Sequence, residues 1–209
     1  MKLYYAPGVC SMAAHIIAEE LGLKLELEKV DLKTKRLQSG GDFNSINGKS
    51  YVPALALDNG EILTENVAIL QYLAAQADGT TSTGTRLVPP AGSPAFFRQM
   101  EWLGFINSEL HKTFTPLWHA EYPAEMRAIA LSILEKRLAF LERHLASHRY
   151  LMGTDFSLVD AYCFTVANWS SYLKIDLAAY PSLQRYLADI AARPAVRRAM
   201  GAEGLLQAA

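Results

Sequence analysis

The spacing of hydrophobic residues predicts alternating strands and helices in residues 1–78. Four short segments are apolar or alternate between apolar and polar positions, as β-strands do: 2–6, 25–30, 52–57 and 61–65. Two segments carry apolar residues at three- and four-residue steps, as amphipathic helices do: 11–23 and 66–77. The order β-α-β-loop-β-β-α predicts a sheet whose first two strands are parallel, because a helical crossover joins them.

Two turn signals support these bounds of the predicted strands and helices. Gly22 is placed to end the first helix. The sequence Asp58-Asn59-Gly60 lies between two apolar segments and predicts a hairpin. We expect a type I′ turn there, because Asn-Gly readily adopts the positive φ angles that this turn requires.

The pattern becomes purely helical after a stretch rich in Gly, Thr, Ser and Pro at 79–92, which predicts a linker. Four helical segments follow: 95–118, 123–147, 155–173 and 182–196. The third is very apolar and is expected at the centre of a bundle. Ser157 followed by Asp160 predicts a capping box at its start. We therefore predict an α/β domain at 1–78, a linker at 79–92 and an all-helical domain at 93–209.

Composition narrows the class of protein. The chain has 209 residues, of which 51% are hydrophobic, and a formal net charge of -1. This charge gives no reason to expect a nucleic acid or an anionic membrane as a partner. No run approaches the about 18 apolar residues of a membrane span, and the N-terminus lacks the pattern of a signal peptide. Cys10 and Cys163 lie far apart and do not form a disulfide framework, so we expect a cytoplasmic protein with reduced cysteines. We also expect no metal.

Cys10 is the first candidate for chemistry, because it lies where the first strand turns into a helix. The dipole and unpaired amides of a helix N-terminus favour the thiolate, which is the reactive form of cysteine. Ser11 is a suitable N-cap and could hydrogen-bond a nearby sulfur. The alternative is that Cys10 is a small buried hydrophobic residue and Ser11 only a cap. Pro7 three residues before Cys10 excludes a C-x-x-C dithiol site.

Two further motifs and one histidine are candidates. Pro53 begins a strand, and a cis Val52–Pro53 bond would leave the Val52 backbone available to an extended peptide. Glu65 and Asn66 precede a helix, where the amides suit a carboxylate and Glu65 could take an ammonium group. Simple capping by Asn66 is the alternative. His111 is of interest only if its helix faces Cys10, because a lone histidine is more often structural.

Together these motifs resemble the cytosolic glutathione transferases, and most closely their bacterial beta class. The resemblance covers the whole chain and depends on the order and spacing of five motifs: YYAPGVCS at the start, VPAL at 52–55, LTENVAIL at 63–70, ELHK at 109–112 and GTDFSLVDAY at 153–162. It implies a thioredoxin-like N-terminal domain and an all-α C-terminal helical bundle, usually as a homodimer, in an enzyme of detoxification.

The resemblance also implies a role for individual residues. Val52 and Pro53 would pair with the cysteinyl backbone of glutathione, and Glu65 with Asn66 would bind its γ-glutamyl end. Cys10 would lie against the glutathione sulfur, and His111 would face that sulfur and, like Ser11, favour a thiolate. Four more positions match glutathione-binding residues of the family: Lys35, Gly104, Ser108 and Lys112.

Three positions depart from the family pattern. The usual NPxGxVP reads NGKSYVP here, so Gly48 and Ser50 replace Pro and Gly, and Gly48 is expected to supply the flexibility of the loop. Gly104 stands where the beta class often has an asparagine that touches the ligand across the dimer. Asn66 stands where serine is commoner.

The resemblance implies glutathione as co-substrate and either a hydrophobic electrophile or a disulfide as the second substrate. In conjugation the glutathione thiolate is the nucleophile, whereas in thiol transfer Cys10 carries glutathione as a mixed disulfide. Cys10 favours substantial thiol-transferase activity. A non-catalytic ligand-binding or regulatory protein on the same fold is the alternative. The expected apolar wall for the second substrate consists of four residues: Phe114, Leu117, Trp118 and Trp169.

Overall fold

The computed structural model describes residues 1–76, 78–81 and 84–206, which form two compact units. The first unit comprises residues 1–88 and the stretch from 192 onward, and the second comprises residues 89–191. The domain bounds expected at 78 and 93 remain a prediction. Parts of the predicted helix 66–77, the linker and the C-terminus lie outside the described residues: Ala77, Ser82, Thr83 and 207–209.

The first unit contains a four-stranded sheet in the order β2-β1-β3-β4. The strands are β1 (Lys2–Tyr5), β2 (Glu26–Lys29), β3 (Ala54–Ala56) and β4 (Ile62–Thr64). Strand β1 is parallel to β2 and antiparallel to β3, so the predicted parallel pair is confirmed. Leu3 pairs with both Leu27 and Leu55, and Leu3 and Leu55 are fully buried.

Two helices of the first unit follow the prediction closely. Helix α1 (Met12–Leu21) ends at Gly22, whose φ of 68° makes it the left-handed cap that the sequence indicated. Helix α2 (Asn66–Gln76) follows β4 directly.

The hairpin between β3 and β4 is confirmed, but the predicted type I′ turn is wrong. Only Gly60 of that turn has positive φ, at 88°, so the loop uses one left-handed glycine rather than two such residues.

The second unit is helical, as predicted. Helix α3 (Pro94–Gly104) continues through a π-helical segment (Phe105–His111), α4 (Lys112–Phe114) and a 3-10 turn (Thr115–Leu117). It is followed by α5 (Ala124–Leu145), α6 (Leu158–Ala167), α7 (Trp169–Tyr172) and α8 (Pro181–Ala191). All ten residues of α6 are buried, which confirms its central place. The π-helical segment was not predicted.

The start of α6 depends on one buried carboxylate. Asp160 accepts hydrogen bonds from the Ser157 backbone N–H at 2.8 Å and the Ser157 hydroxyl at 2.7 Å. Its other oxygen accepts from the Leu151 N–H at 2.9 Å and the Tyr186 hydroxyl at 3.0 Å. The predicted capping box is therefore present, and it also joins α6 to the preceding loop and to α8.

The last predicted helix, 182–196, is wrong as a single element. Helix α8 ends at Ala191, and a separate helix, α9 (Pro194–Ala202), begins with Pro194 at its first position. Proline has no N–H to donate and disfavours helical geometry in the residue before it, and Arg193 accordingly has an extended ψ of 136°. Helix α9 belongs to the first unit, where Arg193 forms an ion pair with Glu20 at 2.6 Å. None of the described helices combines the length and apolarity needed to cross a membrane.

Candidate active site

Cys10 lies in the turn between β1 and α1, as the sequence indicated. Gly8 has a φ of 71°, which favours glycine at this point. Two backbone hydrogen bonds join this turn to the start of α1. The Met12 N–H donates to the Val9 carbonyl at 2.9 Å, and the Ala13 N–H donates to the Cys10 carbonyl at 3.2 Å. The half-buried Cys10 therefore stands at the helix N-terminus.

The structure brings three predicted motifs together at Cys10. The Cys10 thiol donates to the Val52 carbonyl at 3.2 Å, and the Val52–Pro53 peptide bond is cis. The Cys10 carbonyl accepts from Asn66 Nδ2 at 2.9 Å. The turn after β1, the residue before the cis proline and the start of α2 thus meet around one cysteine.

Ser11 is fully buried and its hydroxyl stays within the turn. The hydroxyl donates to the Ala6 carbonyl at 3.2 Å and accepts from the Ala6 N–H at 3.3 Å. Ser11 occupies the predicted N-cap position of α1, but its backbone is already helical and its side chain makes no capping bond. A role of Ser11 at the substrate sulfur remains a prediction.

Asn66 is the first residue of α2 and is nearly fully buried. Its predicted capping role is wrong, because Asn66 lies inside the helix and its Oδ1 atom, which would have to accept the capping bond, accepts none from the described residues, while Nδ2 donates to the Cys10 carbonyl. Its Oδ1 atom is buried and has no hydrogen-bond partner among the described residues. A buried acceptor without a donor is costly, so this atom is available to a ligand donor.

Glu65 stands in the left-handed region with a φ of 70°. Its Oε1 atom accepts from Lys49 Nζ at 2.5 Å and from the Tyr51 hydroxyl at 2.7 Å. The hydrogen bond to Glu65 raises the pKa of both Lys49 and Tyr51 above their usual values. Sequence reasoning missed both residues, since they stand at the two variable positions of the NPxGxVP pattern and only the fold brings them to Glu65.

The loop before the cis proline is organised by Asn47. Its Nδ2 atom donates to the Tyr51 carbonyl at 2.7 Å, and its Oδ1 atom accepts from the Lys49 N–H at 3.0 Å. Ser50 takes the positive φ, 63°, and its hydroxyl donates to Asn44 Oδ1 at 2.7 Å. Gly48 has no positive φ. The unusual backbone geometry of this loop therefore falls on Ser50, and the flexibility expected from Gly48 remains a prediction.

Lys35 lies in the loop between β2 and β3 and is half-buried. It has a φ of 60°, and its backbone N–H donates to the Asp31 carbonyl at 2.8 Å while its carbonyl accepts from the Phe43 N–H at 2.8 Å. These contacts hold the backbone of Lys35. Its predicted contact with a glycyl carboxylate remains a prediction.

Glu203, just after α9, supports the Cys10 turn from the end of the chain. Its fully buried side chain accepts from the Gly8 N–H at 2.8 Å and contacts His15 Nδ1 at 3.0 Å. The His15 ring also lies against Tyr5, the last residue of β1. Sequence reasoning missed Glu203, because 188 residues separate it from His15 and no local pattern connects them.

In the second unit, His111 is the last residue of the π-helical segment. Its Nδ1 atom lies 2.8 Å from the Tyr162 hydroxyl, and that hydroxyl donates to Asn107 Oδ1 at 3.0 Å. Burial, with a smaller contribution from Lys112, lowers the pKa of His111 to about 4. His111 is therefore a neutral imidazole at pH 7 rather than a cation.

The other predicted residues of the second unit are mostly exposed. Gly104 is the last residue of α3, and its carbonyl accepts from the Ser108 hydroxyl at 2.9 Å. Lys112 is exposed at the start of α4. Of the expected apolar wall, Phe114, Leu117 and Trp169 are buried in the second unit, and the wall itself remains a prediction.

Trp118 is the exposed member of the predicted wall. Its ring contacts that of Trp169, which in turn contacts the ring of His111. Trp118 is 47% exposed, and its ring lies 5.9 Å from that of Trp169. The Trp169 ring in turn lies 4.9 Å from the ring of His111.

No group of three His, Cys, Asp or Glu side chains able to hold a metal occurs in the part of the chain that the structure describes.

Two family models match the chain. Residues 9–76 match the glutathione S-transferase N-terminal domain, and residues 105–194 match the glutathione S-transferase C-terminal domain. The chain is 40% identical over 205 residues to glutathione S-transferase GstA of Escherichia coli O157:H7, covering 98% of this chain and 100% of the relative. The chain belongs to the glutathione S-transferase family.

Solved structures agree with this assignment. A sphingomonad glutathione S-transferase complexed with glutathione is 43% identical with a TM-score of 0.92, covering 99% of this chain and 100% of that chain. A beta-class glutathione S-transferase of Sphingomonas chungbukensis is 39% identical with a TM-score of 0.92 and the same coverage. The predicted family, fold class and kind of enzyme are confirmed, and the non-catalytic alternative finds no support.

Proposed function

We propose that this glutathione transferase binds glutathione in an extended form beside Val52, with the glutathione sulfur at Cys10 and its γ-glutamyl end at Glu65 and Asn66. The single observation that carries the proposal is the 3.2 Å contact from the Cys10 thiol to the Val52 carbonyl. An extended peptide that pairs with the Val52 backbone has its central side chain next to this thiol.

The charges near α2 support the orientation of the ligand. The Glu65 carboxylate accepts a hydrogen bond from an ammonium group, that of Lys49. A γ-glutamyl amine can take the same place, and the buried Oδ1 atom of Asn66 offers it a second acceptor. Lys35, from its own loop, serves the glycyl carboxylate as a point charge. In the second unit, Gly104, Ser108 and Lys112 are assigned to the same ligand through the resemblance.

Two reactions are proposed for the bound thiol. In conjugation, glutathione loses its thiol proton and its sulfur bonds to a hydrophobic electrophile, whose leaving group departs with the bonding electron pair. In thiol transfer, the Cys10 thiolate attacks a glutathione mixed disulfide, so that a Cys10–glutathione disulfide forms and the other thiolate leaves. A second glutathione thiolate then attacks this disulfide, which releases oxidised glutathione and regenerates Cys10.

We further propose that the enzyme is a cytoplasmic homodimer. The cytoplasmic assignment is supported by two cysteines that do not pair with each other, Cys10 and Cys163. The homodimer rests on the family resemblance. Size-exclusion chromatography with light scattering tests the dimer, and a mass of one chain contradicts it.

A Cys10→Ala variant separates the two reactions, and Cys163→Ala is its matched control. We expect the Cys10→Ala enzyme to lose reduction of a glutathione mixed disulfide by at least about tenfold while it still conjugates glutathione to an aromatic electrophile. Cys163→Ala is expected to keep both activities, since Cys163 is fully buried. Undiminished disulfide reduction by Cys10→Ala contradicts the role proposed for Cys10.

A further inference from the structure

The Tyr162 hydroxyl has one proton and two polar neighbours, Asn107 Oδ1 and His111 Nδ1. The hydroxyl donates to Asn107 Oδ1 at 3.0 Å, so its oxygen accepts from the neighbouring ring nitrogen, His111 Nδ1, at 2.8 Å. A neutral imidazole has only one N–H. If Nδ1 carries it, the second ring nitrogen, Nε2, is an acceptor with a free lone pair.

The local backbone and packing fix this arrangement. His111 and Asn107 lie one turn apart in the π-helical segment, a rare element that often marks functional sites. Tyr162 is fully buried in α6. The His111 ring also meets the Tyr162 ring edge-on at 5.9 Å and the Trp169 ring at 4.9 Å. His111 Nε2 has no hydrogen-bond partner among the described residues, so no second bond competes with the one at Nδ1.

We propose that Tyr162 and Asn107 are positioning residues that hold His111 in the Nδ1-protonated tautomer, with Nε2 presented as a hydrogen-bond acceptor. The tautomer of a histidine is set by the hydrogen bond that its other nitrogen makes. This role rests on the assignment of His111 to glutathione that the resemblance implies, and Nε2 is the hydrogen-bond acceptor that His111 offers to that ligand. His111 then acts as a neutral acceptor, not as a positive charge that stabilises a thiolate.

Nitrogen-15 NMR of the imidazole groups tests the tautomer without any substrate. In the wild-type protein at pH 7, we expect His111 Nε2 to show the shift of an unprotonated ring nitrogen and Nδ1 that of a protonated one. The His111→Gln variant assigns these signals by their disappearance. A protonated Nε2 in the wild-type protein overturns the proposal.

Two variants test the named partners. Tyr162→Phe removes the acceptor for Nδ1–H, and Asn107→Ala frees the Tyr162 hydroxyl to donate to Nδ1. Both are expected to increase Nε2 protonation and to lower kcat for conjugation roughly threefold to tenfold, as the loss of one hydrogen bond predicts. Asn107→Asp keeps an acceptor for the hydroxyl and is expected to keep the wild-type tautomer.

Tyr122→Phe is the matched control, because Tyr122 stacks on a different histidine, His119, at 4.7 Å. It is expected to leave the His111 signals unchanged. Unchanged His111 signals in both Tyr162→Phe and Asn107→Ala overturn the proposal. If the tautomer is as proposed but added glutathione leaves the His111 signals unmoved, the placement of His111 in the glutathione site fails while the tautomer stands.

Discussion

Glu203 is expected to contribute more to stability than any surface charge on the same part of the chain. Its side chain is fully buried and holds two polar groups of the first unit, the Gly8 N–H and His15 Nδ1. In Glu203→Ala both groups lose this buried carboxylate as a partner. Loss of a buried hydrogen-bond partner costs about 1–3 kcal/mol per group, so with two groups the variant should lose roughly 2–6 kcal/mol of unfolding free energy.

Urea denaturation followed by circular dichroism measures this loss. Arg198→Ala is the matched control, because Arg198 on α9 bonds the Glu19 carboxylate at 2.6 Å with a side chain that is 56% exposed. Exposed ion pairs contribute about 0–1 kcal/mol. Glu203→Gln keeps an acceptor for one donor and should fall between the two. The reasoning is refuted if Glu203→Ala unfolds with the same free energy as Arg198→Ala.

Three further predictions concern other buried groups. Asp160→Ala leaves several donors without an acceptor and should lose about 3–5 kcal/mol in urea unfolding, against about 1 kcal/mol for Ser157→Ala; equal losses contradict the capping network. Burial raises the pKa of the Cys163 thiol, so an aromatic disulfide reagent should modify Cys10 alone in the native protein and both cysteines in urea. A second fast-reacting native thiol contradicts this. The lowered pKa of His111 means that protonation favours unfolding, so its contribution to stability is complete above pH 6.5 and is lost as the pH falls toward about 4. His111→Gln should remove up to about 3 kcal/mol of this acid sensitivity, and an unchanged pH profile of stability argues against it.

Local signals in the sequence were sufficient for most of the fold. Strand and helix periods located the sheet of the first unit and the helices of the second, and Gly22 and Ser157 marked real helix ends. The errors came from backbone chemistry that periodicity does not report. Pro194 interrupts an apolar pattern that otherwise reads as continuous, and Gly60 alone supplies the positive φ of the hairpin.

The candidate site was predicted where its residues lie next to motifs, and missed where they do not. Cys10 and Val52 were both predicted, and the structure places them in contact. Glu203 was not predicted, because a buried carboxylate near the end of the chain has no local signature. Tyr162 was overlooked for a different reason: in an apolar helix it is indistinguishable from a core aromatic until its hydroxyl is seen beside His111.

The central claim is that glutathione binds the first unit at Val52, Glu65 and Asn66 with its sulfur beside Cys10. Calorimetric titration of the purified full-length protein with reduced glutathione at millimolar concentrations tests it most directly. The account predicts saturable heat with one site per chain, and a weaker affinity when Glu65 is replaced by glutamine. The absence of any binding heat at these concentrations contradicts it.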